Sequence, residues 1–222
     1  MKLTLAFFLV LMPAKIKRFI YIKLFGFEIH ETARIGMSLV MPGHLSMGKD
    51  SKIGHLNVIK GVAKVSIAES ASIGSLNWIS GFPKNTDSLH FVDQIDRVPA
   101  LMLADHAAIT NRHLIDCTDS ILIGKFATVA GFRSQLLTHS ISIATSRQVS
   151  RGIEIGDYTF VGTGSILLPG SSLPSFSVLG AGSILNKKYL DQYCLYAGNP
   201  ARFIKTLDPA SAYFNREKGF VI

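Results

Sequence analysis

Residues 155–185 read IGDYTFVGTGSILLPGSSLPSFSVLGAGSIL and place an aliphatic side chain at every sixth position. Neither an α-helix, with about 3.6 residues per turn, nor a simple strand, whose side chains alternate, sustains a period of six. The residue after the aliphatic is often glycine, and the fourth residue after it is usually small. We interpret the stretch as short flat strands that coil on themselves, with the aliphatic inside and the small residue where the coil turns. The positions are Ile155, Val161, Leu167, Leu173, Leu179 and Leu185.

The same period occurs in the preceding half of the chain, interrupted by two slips of two residues at 65–67 and 121–123. We interpret these slips as bulges at corners of the coil. Each rung stacks on the next and is stable only in an array. The in-phase positions are Ile29, Ile35, Met41, Met47, Ile53, Ile59 and Val65, then Ile67, Ile73 and Ile79, then Leu103, Ile109 and Ile115, then Ile123 and Val129.

Residues 29–205 resemble the hexapeptide-repeat acyltransferases, and most closely the bacterial sugar and polysaccharide O-acetyltransferases. The resemblance implies an all-β fold, a left-handed parallel β-helix with three hexapeptides per triangular coil, and a homotrimer. Two stretches leave the pattern, 82–102 and 140–152, and we expect both to be extruded loops that carry function. Residues 1–28 form a separate apolar and basic segment, and 206–222 form a tail with a short helix starting near Asp208.

The amino-terminal segment carries much of the net charge of +8, because five basic residues precede the first acid, Glu28. Its apolar run, residues 3–12, is too short to span a bilayer. Residues 14–27 alternate basic and bulky apolar side chains, which is typical of an interfacial amphipathic segment. Packing on the main domain and membrane contact through residues 1–26 both remain open. The sequence contains no nucleic-acid-reading motif, so we rank nucleic acid last among partners.

The two cysteines, Cys117 and Cys194, do not form a disulfide framework, and a reducing compartment is the simpler interpretation. We therefore expect a cytoplasmic protein that can contact the inner face of the membrane.

Three large polar residues, His113, Asp119 and Arg133, occupy the position that the repeat reserves for small ones. Buried without partners they would each cost several kcal/mol. They form either a satisfied structural network or part of a ligand cleft. His139 follows shortly after them and directly precedes the second loop. By the resemblance, His139 lies at the position of the catalytic base, and His113, Asp116, Asp119 and Arg133 are candidates to orient the acceptor or the histidine ring.

Two carboxyl-terminal stretches, LGAGSIL (179–185) and LYAGNPARFIK (195–205), resemble the closing motif of hexapeptide acyltransferases. In that family acetyl-CoA lies along the coil edges between two subunits, backbone groups contact its pantetheine arm and basic residues meet its phosphates. Thr163 lies at the family position whose backbone N–H faces the thioester. Lys188 is a further basic candidate. The resemblance implies cofactor contacts for Gly162, Thr163, Gly180, Ala181, Gly182, Lys187, Arg202 and Lys205.

The expected activity is transfer of an acetyl group from acetyl-CoA to a sugar hydroxyl in surface polysaccharide or lipopolysaccharide synthesis, without a metal. The simple sugar acetyltransferases tend to have Gly-His where this chain has Thr138-His139, which leaves the acceptor open. An N-acetyltransferase acting on an amino-sugar nucleotide is the nearest alternative. A zinc carbonic anhydrase of the same fold and a non-catalytic β-helix module are more distant ones.

Overall fold

A computed structural model describes residues 2–84, 86, 88–219 and 221. Two helices, α1 (Lys2–Val10) and α2 (Ala14–Phe25), precede three sheets that we name A, B and C. Sheet A contains β1 (Glu28–Ile29), β4 (His44–Met47), β7 (Lys64–Ile67), β10 (Ala100–Leu103), β13 (Ile121–Ile123), β18 (Ile153–Ile155) and β21 (Ser172–Leu173). Sheet B contains β2 (Arg34–Ile35), β5 (Lys52–Ile53), β8 (Ser72–Ile73), β11 (Ala108–Ile109), β14 (Thr128–Val129), β19 (Phe160–Val161), β22 (Val178–Leu179), β24 (Cys194–Ala197) and β25 (Arg202–Thr206). Sheet C contains β3 (Leu39–Met41), β6 (Val58–Lys60), β9 (Trp78–Ser80), β12 (Leu114–Asp116), β15 (Gln135–Leu137), β20 (Ile166–Leu167) and β23 (Ile184–Leu185). The remaining strands, β16 (His139–Ser142) and β17 (Arg147–Ser150), form a hairpin.

Each turn of the coil contributes one strand to each sheet in the order A, B, C, and equivalent strands of successive coils pair in parallel. The coil therefore has three corners, which we name AB, BC and CA after the sheets that they join. Aliphatic side chains stack in register along the axis, and the prediction of a left-handed parallel β-helix is confirmed. In sheet C the fully buried stack is Ile59, Ile79, Ile115, Leu136, Leu167 and Leu185.

Two details of the predicted repeat are wrong. In the first coil Val40 fills the interior and Met41 is only half-buried, because the coil reaches sheet C after five residues instead of six. The slips at 65–67 and 121–123 are not corner bulges. They lie within longer strands of sheet A, where Val65 and Ile67 both point inward because side chains two apart share a face of a strand.

A buried polar ladder runs up the coil beside the aliphatic stacks. Asn77 donates its backbone and side-chain N–H groups to Asn57 Oδ1 at 2.9 and 3.0 Å, and the N–H of His113 donates to Asn77 Oδ1 at 2.9 Å. His113 Nδ1 in turn accepts the N–H of Ser134 at 3.1 Å. These bonds tie each coil to the next and satisfy polar groups that have no access to water.

The two amino-terminal helices cover the first coil. Leu9 and Tyr21 are fully buried in the hydrophobic core, so this segment packs on the main domain, which is one of the two possibilities that the sequence left open. Lys17 is also buried, and its ammonium group donates to the carbonyl oxygens of Gly36 at 2.7 Å and Val10 at 3.1 Å. Burial lowers the pKa of Lys17. The lysine thus joins α1, α2 and the first BC corner.

At the other end of the molecule, β25 folds back antiparallel on β24. The predicted carboxyl-terminal helix is a single 3₁₀ turn, Ala212–Asn215, which starts four residues after Asp208. It packs on aromatic rings at the AB corner, where the Arg216 guanidinium lies over the rings of Phe126, Tyr158 and Tyr213.

We predict that Lys17→Met destabilises the protein by roughly 1–3 kcal/mol, because two buried carbonyl groups lose a charged donor. The free energy of unfolding, from urea titrations followed by circular dichroism, checks this. Lys15→Met, on the exposed side of the same helix, is the control and should change stability by less than about 0.5 kcal/mol. An equal effect of the two substitutions would contradict the role of Lys17.

Candidate active site

The CA corner of the central coils carries both excursions from the coil. The first leaves after β9 and returns at β10, so it spans residues 81–99, and 100–102 of the predicted loop belong to a strand. The second is the β16–β17 hairpin, which lies inside the predicted second loop apart from His139 at its start. The two excursions leave the same corner two coils apart, with the short connection 117–120 of the intervening coil between them. They lie side by side because they contact each other across it.

Polar contacts join the first loop to the hairpin. Gln94 Oε1 accepts the N–H of Ser150 at 2.5 Å and its hydroxyl at 2.8 Å. His90 Nδ1 lies 3.1 Å from Gln148 Nε2, and Arg147 forms an ion pair with Asp93. The two excursions therefore form one structure beside His139.

His139 follows β15 at this corner, and its ring is held by an aspartate from the coil before it. Its Nδ1 lies 2.6 Å from Asp116 Oδ2. A carboxylate can only accept, so Nδ1 carries the hydrogen and Nε2 is the free base in the neutral ring. The His139 side chain is 42% exposed and that of Asp116 is 13% exposed. A partly exposed imidazole is thus backed by a largely buried carboxylate.

The Asp116 carboxylate is surrounded by donors. Thr118 donates its hydroxyl to Oδ1 at 2.6 Å, and Thr138 donates its backbone N–H to Oδ2 at 3.0 Å. Burial raises the pKa of Asp116, but the hydrogen bonds from Thr118, His139 and Thr138, together with the charge of His139, outweigh it and hold this pKa below its usual value. Asp116 is therefore ionised near neutral pH and fixes the orientation of the imidazole.

Asp119 lies at the same corner and binds the excursions rather than the histidine. Its Oδ2 accepts the hydroxyl of Ser150 at 3.0 Å, and its Oδ1 accepts the N–H of Ser120 at 2.8 Å and that of Val98 at 3.3 Å. It is not the buried spacer that the repeat predicted, because Thr118 occupies that position. The geometry makes Asp119 a clamp between the first loop and the hairpin.

Arg97 anchors the first loop from beneath. It is 5% exposed, and its Nη1 donates to the carbonyl oxygens of Phe82 at 2.5 Å and Thr118 at 2.7 Å. Its guanidinium lies 4.8 Å from the centre of the Phe91 ring, and that ring meets the His139 ring edge-on at 5.9 Å. Arg97 thereby holds Phe91 against the histidine.

A surface cavity of about 510 Å³ opens between the two excursions, and Phe91 separates it from His139. Its rim is unusually apolar, because Leu89 and Ile141 are exposed there, and Ile143 is exposed at the tip of the hairpin. His90, Asp93, Arg147 and Gln148 add polar groups to its lining. The cavity has the mixed apolar and polar lining that is typical of small-molecule sites.

His113 and Arg133, both predicted acceptor residues, do not contact His139 in this chain. His113 is a buried member of the polar ladder, where Ser134 N–H donates to Nδ1 and Thr110 Oγ1 lies 2.9 Å from Nε2. Arg133 is exposed at the BC corner, and Ser134 takes the spacer position, because the step from Val129 to the next interior residue is seven long. Arg133 comes six positions before His139 in the sequence, which is about 20 Å of extended chain.

Five predicted cofactor residues share the BC corner of the last coils. Gly162 and Thr163 lie there on one coil, and Gly180, Ala181 and Gly182 lie on the next. Gly182 N–H donates to the carbonyl of Thr163 at 2.9 Å, and the Thr163 hydroxyl donates to the carbonyl of Phe132 at 2.9 Å. The corner therefore forms a continuous ridge of small residues along the axis.

Close packing explains glycine at Gly162 and Gly180, where an added Cβ would meet Ala181 N at 2.5 Å and Ala197 Cβ at 2.8 Å. It does not explain the glycines with a left-handed φ on the same ridge. Leu56, Leu76 and Arg112 adopt a left-handed φ at equivalent corners of earlier coils, so the fold tolerates large side chains in this conformation. In the last two coils the position is Gly164 and Gly182, and a Cβ added to either would meet nothing within 4 Å. The last two coils thus carry no side chain at a position where the space outside the coil would admit a large one. This leaves the ridge open to a ligand.

The basic candidates are dispersed. Lys187 lies at the CA corner, with its ammonium group 5.0 Å from the centre of the Tyr189 ring, so it does not share the ridge with Ala181. Lys188 pairs with Ser172 on sheet A. Arg202 and Lys205 are exposed on β25, the last strand of sheet B.

Comparison with solved structures agrees with this architecture. The polysialic acid O-acetyltransferase OatWY is 17% identical over 81% of this chain and 84% of its own, with a TM-score of 0.55. The hexapeptide-repeat containing acetyltransferase VCA0836 from Vibrio cholerae is 17% identical over 93% of this chain and 90% of its own, with a TM-score of 0.51. This chain has the fold of the hexapeptide-repeat acetyltransferases. No protein-family model matches the sequence.

The contacts around His139 include residues of this acetyltransferase fold that the sequence did not indicate. Thr118 could have been suspected, because an aspartate followed two residues later by threonine often forms a local hydrogen-bonded turn. Phe91 and Arg97 carry no comparable signal, since they lie more than 40 residues before His139 in an irregular loop. Within the described ranges, no three His, Cys, Asp or Glu side chains are grouped as metal ligands.

We predict that His113 makes stability depend on pH. Burial lowers the pKa of His113 to about 4, whereas an unfolded histidine titrates near 6.5. Between these values the unfolded chain binds more protons, so stability falls as the pH drops through this window. His113→Asn, which matches its ladder neighbours Asn57 and Asn77, should remove this part of the fall in Tm.

The measurement is Tm from about pH 7 to about pH 4.5 by scanning calorimetry. His55→Asn, which replaces an exposed histidine, is the control and should keep the wild-type pH dependence. If the His113→Asn curve parallels wild type, the buried ladder does not hold a neutral histidine.

Proposed function

We propose that the protein is an acetyl-CoA-dependent O-acetyltransferase that acts on a sugar hydroxyl, in surface polysaccharide or lipopolysaccharide synthesis. The observation that carries this proposal is the His139–Asp116 pair at the mouth of two extruded loops, on a fold used by acetyltransferases. The polysialic acid O-acetyltransferase OatWY, one of the structural neighbours, acts on a glycan according to its name.

A sugar hydroxyl attacks a thioester only as its proton is removed. His139 Nε2 accepts that proton while the hydroxyl oxygen attacks the thioester carbonyl, and the resulting imidazolium is stabilised by the ionised Asp116. The tetrahedral oxyanion receives the backbone N–H of Thr163. His139 then returns the proton to the departing CoA thiolate. Cys117 is buried with a raised pKa, which argues against a covalent acyl-enzyme on that residue.

The active site that we propose is shared between two copies of the chain. The ridge of small residues lies at the BC corner and His139 lies at the CA corner, so sheet C separates them within one chain. A cofactor that lies along the ridge reaches His139 only if the neighbouring copy places its BC corner against the CA corner. A closed homotrimer repeats this contact three times. It also brings Arg133 of the neighbouring copy to the shared site, where it can contact the cofactor or the acceptor.

We assign the ridge residues to the pantetheine arm and the exposed cations to the CoA phosphates, because small corners admit an extended arm and cations attract its anionic end. The set is Gly162, Thr163, Gly180, Ala181 and Gly182 for the arm, with Arg202, Lys205 and Lys187 for the phosphates. The acceptor places its reacting hydroxyl at His139 Nε2 and extends past Phe91 into the cavity between the two excursions. An amine on an amino-sugar nucleotide would use the same base, and it is the second candidate.

We place the enzyme in the cytoplasm, because both cysteines are free and buried. Neither helix that the structure describes is long and apolar enough to cross a membrane. Residues 1–26 are the part that we propose to touch the inner face of the membrane.

We predict that His139→Ala lowers turnover by roughly 10²–10⁴-fold, because the acceptor hydroxyl loses its base. Asp116→Asn should act in the same direction, since it disturbs the tautomer and removes the charge behind the imidazole. Thiol release from acetyl-CoA with a panel of sugars and amino sugars measures turnover, and calorimetry should show acetyl-CoA binding retained. His30→Ala, at an exposed histidine of the first coil, is the control. Wild-type turnover in His139→Ala would overturn the mechanism.

We further predict complementation between two inactive variants. Ala181→Trp, at an exposed ridge position, should block acetyl-CoA binding, and His139→Ala should block chemistry. In randomly mixed trimers one site in four combines an intact histidine with an intact ridge, so refolded mixtures should regain about a quarter of wild-type turnover. No recovery in mixtures that do exchange subunits would place the complete site within one chain.

A further inference from the structure

Helix α1 is apolar on both of its faces. Ala6 and Leu9 point inward and are buried against the first coil. Phe7, Phe8 and Leu11 point outward and are 57%, 66% and 81% exposed. A surface helix normally places polar side chains on its outer face. The inward face is explained by packing, and no part of the chain that the structure describes covers the outward face.

The apolar surface continues from α1 onto the linker and α2. Met12, Ile16 and Phe19 are exposed there, so six exposed apolar side chains lie between Phe7 and Phe19 on two consecutive helices and their linker. Single exposed apolar residues are common on protein surfaces, but a group of this size marks a site of interaction. Burying this set would remove it from water.

Cations border this apolar surface. Lys15, Arg18 and Lys23 of α2 line a groove of about 1120 Å³ between the helix and the coil, together with Arg34 and Lys52. Two acids, Glu31 and Asp50, lie in the same groove. No acid occurs among residues 1–27, so the helices themselves contribute only positive charge. An apolar face bordered by cations matches an anionic lipid surface. The acyl chains of the lipid would contact the apolar side chains, and its phosphates would contact the cations.

We propose that this end of the molecule, comprising α1, the linker and α2, docks on an anionic phospholipid bilayer, with Phe7, Phe8 and Leu11 inserted at the boundary of headgroups and acyl chains. The α1 helix lies in the plane of the interface, because nine residues reach only about 14 Å, less than half of a hydrocarbon core. Lys15, Arg18 and Lys23 bind lipid phosphates beside it. Lys17 takes no part, since it is committed to the interior.

The docked geometry orients the active site. This orientation rests on the proposed function, because it needs a trimer whose threefold axis runs along the coil. In such a trimer all three amino-terminal caps face the same way and bind one membrane. Three linked sites raise the overall affinity above that of one cap. His139 lies on the central coils above this base, so the extruded loops stand at the side of the docked molecule and an acceptor anchored in the same bilayer can reach them.

Vesicle co-sedimentation of the full-length protein tests the docking without reference to activity. The probes are vesicles of phosphatidylcholine alone and vesicles of phosphatidylcholine with phosphatidylglycerol. Wild type should partition to the anionic vesicles and bind the neutral ones more weakly, and added salt should reduce the difference. Equal binding to both compositions would overturn the assignment of the cations.

A matched pair of leucine substitutions tests the inserted face. Leu11→Glu should reduce partitioning to the vesicles by about ten-fold or more, because the leucine that would insert into the bilayer is replaced by a charged side chain. Leu190→Glu replaces a leucine that is 84% exposed at the other end of the chain and should leave partitioning unchanged. Circular dichroism and Tm establish that both variants fold. Equal partitioning of Leu11→Glu and wild type would overturn the proposal.

A second pair tests the charges, and the lipid-free protein tests the main rival occupant. Lys15→Gln/Lys23→Gln should reduce partitioning by about 5-fold per cation, whereas the exposed pair Lys84→Gln/Lys218→Gln should not. Equal losses in both pairs would overturn the local role of α2.

If the wild type instead forms a concentration-dependent pair of trimers without lipid that Leu11→Glu abolishes, a second copy covers the face and the proposal is wrong.

Discussion

The in-register stacking of one aliphatic side chain on the next is the constraint from which the rest of the molecule follows. Each hexapeptide places an interior residue such as Ile79, Ile115 or Leu136 directly over its counterpart in the neighbouring coil. A single coil could not bury these side chains, so the rungs are stable only as an array. The stacking fixes the three faces, and the faces fix three corners along which positions repeat at the spacing of one coil.

Different corners carry different residues of the candidate site. At the CA corner, Thr118 and Thr138 hold Asp116, and Asp116 orients His139. At the BC corner the last coils carry glycine where earlier coils carry leucine or arginine, which makes a smooth ridge. Because a rigid prism keeps its corners apart, the proposed chemistry, which uses both corners, joins two copies of the chain.

An array of this kind must also be closed at its ends, because the first and last coils expose backbone groups and core side chains. The first coil is covered by α1 and α2, with Tyr21 in the core and Lys17 bonded to a corner carbonyl. At the other end β25 folds back on β24 and covers its edge. Closure explains the inward faces of the helices. The exposed phenylalanines and the cations beside them are not needed for closure, and a bilayer surface accounts for both.

Three features could be predicted from the amino-acid sequence: the β-helix, the position of His139 before an excursion, and the grouping of small residues in the last coils. They could be predicted because a period of six is a local property that can be read along the chain. The sequence pattern misplaced the slips at 65–67 and the environment of Arg133, since which residues share a strand or a corner depends on the length of each step. It also left open whether His113 was structural or functional. The three-dimensional structure was needed to show that His113 belongs to a buried ladder and that Asp116 holds His139. It was also needed to show that Phe91 and Arg97 reach the site from a distant loop. These contacts join residues on different coils, and their distance in space is not encoded by their distance along the chain.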